Sequence, residues 1–307
     1  MKNIVIAGGT GLVGKRLTEM LIEKGYSVTI LSRNKNLQST AAITYSYWNV
    51  ATQEIDSNAI AKANAIINVA GEGVVNKRWN KEQKQEIVDS RVNAGKLIVK
   101  ALETINNNVE VVVNASAIGW YRPQKKEDYN SNNYQENQEA NTDFLGTTCK
   151  LWEESIEPVK QLNKRLVKLR IGIVLSKNGG ALKEFLKPIK FGIAAILGNQ
   201  KISWIHIDDL CNMFIEAIEN KTYEGAYNAV APNIVTNREL NIALAKKLKG
   251  KWFIALKVPQ FIIKIMLGEM SVEVLKSSTI SCKKIMDNGF VFLYSTIDSA
   301  VDEMVKA

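Results

Sequence analysis

The sequence is poor in the residues that build disulfide frameworks and metal sites. It has three cysteines, Cys149, Cys211 and Cys282, and a single histidine. The cysteines are odd in number and far apart, and no second cysteine or nearby histidine stands at metal-ligand spacing. We therefore expect reduced thiols, no disulfide framework and no metal site.

Long apolar runs are also missing. The apolar stretch at residues 261–267 is short and contains Lys264, whereas a membrane span needs about 20 mostly apolar residues. The apolar run at the start is interrupted by the glycines of residues 8–14, where a signal peptide requires about 7–15 apolar residues. These absences predict a cytoplasmic protein that does not associate with membranes.

The composition itself is that of a basic globular protein. The 307 residues include 40 Lys+Arg and 31 Asp+Glu, which gives a formal net charge of +9, and 46% of the residues are hydrophobic. Such a composition excludes disordered and collagen-like chains. The lysines are spread along the predicted helices and usually interleaved with acids, and no nucleic-acid recognition motif accompanies them. We expect a solvated basic surface and no nucleic-acid partner.

Short apolar runs alternate with helical patterns through the first 175 residues. Buried strands are predicted at Asn3–Ala7, Ser27–Leu31, Ala65–Val69, Val109–Asn114 and Leu166–Leu175. Helices with apolar residues three and four apart are predicted at Gly14–Lys24, Asn80–Thr104 and Asp143–Leu162. This order predicts an α/β fold with a Rossmann-type doubly wound parallel sheet. We place that domain at residues 1–175, with parts of 200–232 returning to it.

The pattern changes after Leu175 to loops punctuated by glycine. Residues 176–307 are predicted to form mainly a smaller C-terminal α/β lobe that faces the substrate. Within it, helices are predicted at Ile207–Glu219 and Asn237–Leu248, after Pro259, and at Thr296–Val305, and strands near Ala226–Val230 and at Trp252–Val258. The helical spacing of four apolar residues predicts that they pack on this lobe as core: Phe261, Ile262, Ile265 and Met266. The polar stretch Lys125–Asn141 is predicted to be a long surface loop or lid.

A glycine loop lies directly between the first predicted strand and the first predicted helix. Its residues are Gly8, Gly9, Thr10, Gly11, Leu12, Val13 and Gly14. The glycines at this place allow a tight turn, a close approach of the backbone to a pyrophosphate, and close packing of helix on strand. The free N–H groups of the helix terminus then face the anion. The loop predicts dinucleotide binding, and the alternative is a glycine-rich turn without a ligand.

The residues after the second predicted strand favour NADP(H) over NAD(H). A site for NAD has an acid here that accepts a hydrogen bond from the ribose 2′-OH, but this chain has Ser32 and Arg33. An arginine can bind a 2′-phosphate through charge-assisted hydrogen bonds, and the serine adds a hydroxyl donor. The alternative is an arginine that merely ends a strand in solvent.

Several motifs in order along the chain resemble an extended short-chain dehydrogenase/reductase. Besides the glycine loop, they are Asn68-Val-Ala-Gly71, Ala115-Ser116-Ala-Ile-Gly and Trp204-Ile-His-Ile-Asp-Asp-Leu210. A further set is similar to the atypical epimerase family subgroup: Ala70-Gly-Glu72, Arg78-Trp79-Asn80, Asp89-Ser-Arg91, Trp152-Glu153, Gly179-Gly-Ala181, Leu267-Gly-Glu-Met270 and Gly289-Phe290. The subgroup is often described as nucleoside-diphosphate-sugar epimerases, and its small C-terminal domain matches about residues 250–296.

The resemblance implies further cofactor-binding residues. The backbone at Val69, Ala70 and Gly71 would line the adenosine side, and Val174 would lie where the chain passes the nicotinamide. Arg91 takes the place of a helix asparagine that approaches the cofactor. The alternative for Arg91 is a surface ion pair with Asp89 or Glu86.

The chain departs from the wider superfamily at the catalytic residues. Ordinary members pair a Ser or Thr with Tyr-x-x-x-Lys on the next helix, where the Lys lowers the Tyr pKa for proton exchange. Alignment on Glu153 puts Leu145 and Cys149 at the Tyr and Lys positions. The literal match Tyr121-Arg-Pro-Gln-Lys125 contains a proline and precedes a polar loop, so it is not the motif. Ser116 is the remaining catalytic candidate, although a one-residue offset would put Ala117 at its position.

Two functions from different classes follow. The first is an NADP(H)-dependent reductase, dehydrogenase or epimerase acting on a small carbonyl or hydroxyl substrate such as a nucleotide sugar. The second is a regulatory or scaffold protein that binds NADP(H) without turnover, because the proton-transfer pair is missing. His206 is expected to be structural, since apolar residues surround it in sequence. The oligomeric state is left open.

Overall fold

The computed structural model describes residues 2–75, 77–124 and 133–305. Its strands are β1 (Asn3–Ala7), β2 (Ser27–Ser32), β3 (Ile43–Asn49), β4 (Glu54–Ile55), β5 (Ala65–Asn68), β6 (Val111–Ala117), β7 (Arg165–Ile171), β8 (Ile173–Ser176), β9 (Gly179–Gly180), β10 (Ile193–Ile196), β11 (Lys201–Ile202), β12 (Trp204–His206), β13 (Gly225–Ala229), β14 (Val235–Thr236) and β15 (Ile254–Lys257). Residues 125–132, the first eight residues of the predicted Lys125–Asn141 loop, lie outside the described residues.

The helices connect these strands. They are α1 (Leu12–Glu23), α2 (Ser57–Ala61), α3 (Lys81–Thr104), α4 (Phe144–Ile156), α5 (Ala181–Lys190), α6 (Ile207–Glu219), α7 (Asn237–Lys249), α8 (Gln260–Leu267), α9 (Ser271–Leu275), α10 (Lys283–Asp287) and α11 (Ile297–Met304). Short 3-10 turns lie at Ile118–Trp120, Glu157–Leu162 and Gly268–Met270. Within the described residues, no helix is both long and apolar enough to cross a membrane.

The main sheet has eight strands in the order β13-β7-β6-β5-β1-β2-β3-β4. All of its neighbours pair in parallel except β3 and β4, which are antiparallel. The order reverses between β1 and β5, as in a doubly wound fold, and it places the carboxyl ends of β1, β2 and β5 at one edge. The predicted α/β class with a Rossmann-type sheet is confirmed. The division of the chain at residue 175 stays a prediction.

The core has a layer on each face of this sheet because strand residues alternate between faces. In β1, Ile4 and Ile6 belong to the layer that includes Phe214 of α6. Val5 and Ala7 belong to the opposite layer, under α2 and α3. A third cluster, which includes Trp204 and Leu240, forms the core of the C-terminal region. A sheet covered on both faces explains the nearly continuous apolar strands.

The predicted strand Leu166–Leu175 is two strands that belong to different sheets. Gly172 separates β7 from β8, and a Cβ at this position would lie 2.7 Å from the Ser203 carbonyl oxygen. Only glycine allows this close approach. After it, β8 leaves the main sheet and pairs with β12 and β9.

The prediction that Phe261, Ile262, Ile265 and Met266 form core is wrong. All four side chains on α8 are exposed, whereas Ile263 of the same helix is buried. The helix has apolar residues on nearly every side, so the spacing does not specify which face packs inward. Its carboxyl end is held against the start of α3, where Arg78 donates to the Ile265 carbonyl and Lys84 pairs with Glu269.

His206 has the structural role predicted for it. Its Nδ1 accepts a hydrogen bond from the Asp208 amide at the start of α6, so the ring proton lies on Nε2, 3.1 Å from Glu303 Oε2 of α11. The ring also packs on Tyr294, with the centroids 3.9 Å apart. Asp209 accepts the Leu293 and Tyr294 amides. These contacts fasten the last helix to the rest of the molecule.

Candidate functional site

The glycine loop turns tightly between β1 and α1. Gly8 has φ +85°, a conformation that favours glycine, and a Cβ on it would lie 2.7 Å from the Val69 carbonyl. A Cβ on Gly14 would overlap the Gly8 carbonyl oxygen. Both glycines are therefore required by the protein's own packing.

Gly11 differs from these two glycines because the protein leaves space for a side chain there. Its φ is −77°, and a Cβ added to it would have the Gly8 oxygen as its nearest heavy atom, at 3.4 Å, an ordinary contact. Gly11 precedes α1, and no side chain caps this helix and no acid lies in its first turn. The amides of Leu12, Val13 and Gly14 therefore form a helix terminus suited to an anion.

A cleft of about 1100 Å³ opens beside the loop. Eight of the predicted cofactor-binding residues line it: Gly8, Thr10, Gly11, Ser32, Arg33, Val69, Ala70 and Gly71. Leu12, Val13, Gly14, Arg91, Val174 and Ser116 are outside the lining of this cleft. This volume is slightly above the usual range for cofactor and ligand pockets, about 300–1,000 Å³.

Two walls of the cleft were missed by the sequence predictions. One wall is formed by the residues at the end of β3, which are Trp48, Asn49, Val50 and Ala51. The other is the first half of α3, with Lys81, Glu82, Gln85, Glu86, Asp89, Ser90 and Asn93. The strand β3 reads Ile-Thr-Tyr-Ser-Tyr-Trp-Asn, which mixes polar and aromatic residues, so it lacks the apolar run of the other parallel strands.

The predicted basic residue, Arg33, follows β2 and lines the cleft. Arg33 is exposed, and the Ser32 hydroxyl accepts a hydrogen bond from the Asn34 amide at 3.1 Å. The next cation, Lys35, lies over the Tyr47 ring, 4.2 Å from its centroid. The carboxylates of the cleft lining belong to α3 and to Glu72, not to the end of β2.

Arg91 lies beside Gly71 of the cleft lining and is half-buried. Its Nη1 donates to the Ile87 carbonyl at 2.9 Å, and its guanidinium lies 5.1 Å from the Trp152 ring centroid. A Cβ on Gly71 would be 3.0 Å from the Arg91 guanidinium carbon. Burial lowers the Arg91 pKa. Among the described residues, Glu86 pairs with Lys77 and Asp89 accepts from Gln85, so the surface ion pair for Arg91 is not observed.

Val174 of β8 lies near the glycine loop. A Cβ on Gly180 would be 2.9 Å from the Leu12 side chain and 3.8 Å from the Val174 carbonyl oxygen. The start of α1 and the β8–β9 turn therefore lie in contact.

Ser116 belongs to a buried polar network. Its hydroxyl donates to Glu153 Oε1 at 2.8 Å, and the Arg170 guanidinium donates to both oxygens of the same carboxylate, at 2.8 and 3.2 Å. Arg170 also donates to the Tyr121 hydroxyl. Ser116, Glu153 and Arg170 are each at most 3% exposed. The network joins β6, β7 and α4, and it engages the proton of the Ser116 hydroxyl.

Leu145 and Cys149 lie together on α4, beneath the turn that follows β6. A Cβ on Gly119 would be 3.1 Å from Leu145 Cβ and 3.5 Å from Cys149 Sγ. Burial raises the pKa of the Cys149 thiol to about 12. The thiol is therefore protonated at neutral pH, and neither residue supplies the acid–base chemistry of a tyrosine and lysine pair.

Ionisable groups from the C-terminal region approach the start of α4. Lys276 Nζ lies 3.7 Å from Asp143 Oδ2 and 3.5 Å from Glu273 Oε2. These are ion-pair distances, and Nζ makes no well-formed hydrogen bond although its side chain is only 6% exposed. Asp143 caps α4 two residues before Leu145. Burial raises the pKa of Glu273. No motif marks Lys276, so the sequence predictions missed it.

Family models match both ends of the chain. The NAD dependent epimerase/dehydratase family matches residues 4–144, which include the glycine loop and the cleft. A domain of unknown function, DUF1731, matches residues 258–304. Groups of three or more possible metal-ligating side chains are absent from the described residues.

Known proteins are similar over the whole chain. The epimerase family protein YfhF of Bacillus subtilis (strain 168) is 31% identical over 306 residues, covering 99% of this chain and 98% of the relative. The crystal structure of human epimerase family protein SDR39U1 (isoform 2) with NADPH has a TM-score of 0.85 at 25% identity and covers 99% of both chains.

A third similarity concerns the fold alone. The UDP-glucuronic acid 4-epimerase from Bacillus cereus, in complex with UDP-glucuronic acid and NAD, has a TM-score of 0.79 at 16% identity, covering 99% of this chain and 98% of that one. Together with the family match and the whole-length relative, these likenesses confirm the resemblance seen in the motifs. The chain belongs to the epimerase family of atypical short-chain dehydrogenases/reductases.

Proposed function

We propose that the chain binds NADP(H) in the cleft and acts as an oxidoreductase or epimerase on a small carbonyl or hydroxyl substrate. The observation that carries the proposal is the glycine loop, whose uncapped amides at the start of α1 adjoin the cleft. The free space at Gly11 fits a pyrophosphate pressed against the backbone. The related human protein with NADPH supports the choice of dinucleotide.

Each predicted residue has a place in this proposal. The amides of the glycine loop hold the pyrophosphate, and Ser32 and Arg33 bind the 2′-phosphate at the other end of the cleft. The backbone of Val69, Ala70 and Gly71 lines the adenosine side, and Arg91 supports Gly71 from below. Val174 borders the nicotinamide side.

Bound in the cleft, NADP(H) would supply hydride chemistry. The chain must then supply the group that moves the substrate's proton. We infer that Lys276 is this group, because it lies at the start of the helix whose Tyr and Lys positions hold Leu145 and Cys149. A substrate oxygen would give Nζ the hydrogen-bond partner that it lacks among the described residues. Ser116 is the weaker candidate, since Glu153 already accepts its proton.

Two measurements test the proposal in order. Calorimetric titration with NADPH and NADH measures dinucleotide binding, and absence of binding would reject the whole proposal. Incubation with NADPH and a panel of small ketones, aldehydes and nucleotide sugars then measures loss of the reduced-nicotinamide absorbance. We expect substrate-dependent loss.

The variant Lys276→Met separates the proton donor from the cofactor site. We expect a lower kcat with unchanged NADPH affinity. Lys283→Met is the matched control, because Lys283 is exposed and pairs with Asp287 on the same helix. A Lys276→Met protein with the wild-type kcat would remove Lys276 from the reaction.

The second function, an NADP(H)-binding protein without turnover, is favoured by a specific observation. The positions of the usual tyrosine and lysine hold an apolar side chain and a protonated thiol. Tight NADPH binding with no turnover of any substrate in the panel would support this function and reject the enzyme.

A further inference from the structure

The net positive charge of the molecule arises from two segments of the chain. Residues 185–207 contain three lysines and residues 240–268 contain six, and neither segment contains an aspartate or glutamate. The remaining 31 basic residues balance the 31 acidic residues of the chain. These acid-free segments therefore account for the whole formal net charge of +9, and they are the exceptions to the usual interleaving of lysines with acids.

The fold brings the two acid-free segments together. β10, from the first, pairs in parallel with β15, from the second, so that Ile193 lies beside Ile254. The pair forms a separate two-stranded sheet, and all four residues of β15 are exposed. After Pro259 the chain continues directly into α8.

Large apolar side chains project from this region into solvent. Phe191 is 84% exposed, Trp252 87%, Ile254 72%, Phe261 63% and Ile265 69%. Because strand residues alternate, Ile254 and Leu256 point to one side of β15, and Trp252 lies two residues before the strand. On α8, Phe261 and Ile265 are one turn apart, as are Ile262 and Met266. A patch of this kind on a protein surface marks an interaction site.

Lysines are the sequence neighbours of several of these side chains. Lys190, Lys251, Lys257 and Lys264 are exposed, and none forms an ion pair with another described residue. We name these lysines, together with Phe191, Trp252, Ile254, Leu256, Phe261, Ile265 and Met266, the basic apolar face.

The chemistry of this face selects one kind of partner. Both segments contain lysine and no arginine, whereas protein interfaces are enriched in arginine and depleted in lysine. A second copy would bring lysines against lysines, which is repulsive. Nucleic-acid bases could stack on the three aromatic rings of this face, but they would leave its exposed aliphatic side chains, Ile254, Leu256, Ile265 and Met266, without an apolar partner. Exposed aromatic and aliphatic residues among lysines are typical of surfaces that lie on anionic lipid.

We propose that the basic apolar face docks on an anionic lipid bilayer. The apolar side chains enter the boundary between headgroups and acyl chains, while the lysines extend to the anionic headgroups. This contact is peripheral and needs no spanning helix. It replaces the expectation from the sequence that the chain does not associate with membranes, and it is independent of the proposed reaction.

Vesicle flotation with the full chain tests the proposal. The vesicles contain equal parts phosphatidylcholine and phosphatidylglycerol, or phosphatidylcholine alone. We expect binding to the anionic vesicles that weakens with added NaCl, and little binding to the neutral ones. No binding to anionic vesicles at low salt would overturn the proposal.

Two paired variants locate the contact. Trp252→Ser with Phe261→Ser should reduce binding at least about tenfold, whereas the control pair Val291→Ser with Leu293→Ser, also exposed, should not. The double variant Lys251→Gln with Lys257→Gln should reduce both the binding and the salt dependence of binding. Its control is the double variant Lys96→Gln with Lys100→Gln on α3.

Two further outcomes reject the docking surface. Undiminished binding by the Trp252 and Phe261 variant would show that the face does not contact lipid. A wild-type dimer in sedimentation that this variant abolishes would assign the face to a second copy instead. The solubility and circular dichroism of each variant confirm that it is folded, which we expect because every substituted side chain is exposed.

Discussion

Gly11 and Gly14 of the glycine loop should respond differently to the same substitution. Gly11→Ala places a methyl group at an ordinary contact distance in an allowed conformation, so we expect a folded protein of nearly wild-type Tm. The methyl group would occupy the space proposed for the pyrophosphate, and NADPH affinity should fall at least about tenfold, which is 1.4 kcal/mol. Calorimetry and thermal denaturation measure the two effects.

Gly14→Ala is the comparison. Its methyl group would overlap the Gly8 backbone, and overpacking of this kind costs about 1–3 kcal/mol of stability. If Gly11→Ala binds NADPH as the wild type does, the loop holds no pyrophosphate.

Arg33 should determine the choice between the two dinucleotides. Only NADPH carries the 2′-phosphate, and a charge-assisted hydrogen bond contributes about 1.5–3 kcal/mol. Arg33→Ala should therefore weaken NADPH binding roughly 10- to 100-fold and leave NADH binding almost unchanged. Calorimetric titration of both dinucleotides measures this, with Arg238→Ala, an arginine outside the cleft lining, as the control. Equal loss of both dinucleotides, or equal affinity of the wild type for both, would mean that Arg33 only ends a strand.

At the scale of elements, α4 is anchored to the sheet by one buried carboxylate. Glu153 accepts hydrogen bonds from Ser116 of β6 and Arg170 of β7. Glu153→Gln would leave Arg170 buried without its counter-charge, and breaking such a pair costs about 3–5 kcal/mol. Urea denaturation should show this loss.

The neighbouring Glu154 provides a matched control on the same helix. It is exposed and lies 3.8 Å from Lys150, so Glu154→Gln should change stability by less than about 1 kcal/mol. Equal effects of the two substitutions would show that the buried network does not anchor α4.

Elements with a strong apolar pattern were predictable from the sequence. The predicted bounds of β1, β2 and β5 agree with the structure within a residue, and those of α6 agree at both ends. Local pattern failed where a distant contact decides the structure. The break at Gly172 depends on Ser203, and the exposed face of α8 depends on how Arg78 and Lys84 hold the helix.

The candidate site was predictable to the same extent. The glycine loop and the end of β2 are contiguous in sequence and lie in one cleft, as expected. The wall from β3 was not found because the strand lacks an apolar run. Lys276 was not found because its approach to α4 arises from packing between residues more than 100 positions apart.

At the scale of the whole molecule, the stability of the fold should decrease at acidic pH because of Glu303 on α11. Burial opposes ionisation of this carboxyl, but hydrogen bonds with Lys177 and His206 outweigh it and lower its pKa. An acid with a lowered pKa stabilises the fold above its ordinary pKa, and this contribution is lost as the pH falls through the lowered value. The wild type should therefore lose more stability than Glu303→Gln between neutral and acidic pH.

Urea midpoints at neutral pH and at about pH 3, below the ordinary glutamate pKa, measure the difference. Asp302→Asn is the control, since Asp302 is an exposed neighbour on α11 that pairs with Lys247. Parallel pH profiles for the wild type and Glu303→Gln would contradict the prediction.

The position of β13 at the edge of the main sheet has a consequence for synthesis on the ribosome. Its register with β7 runs from Gly225 against Val167 to Ala229 against Ile171, so the strand that covers β7 follows it by almost 60 residues. A nascent chain that has emerged only as far as β8 exposes the N–H and C=O groups of β7 along an apolar edge. At about 5–20 residues per second, this edge stays open for several seconds, and we expect the partly synthesised protein to need protection by chaperones during that interval.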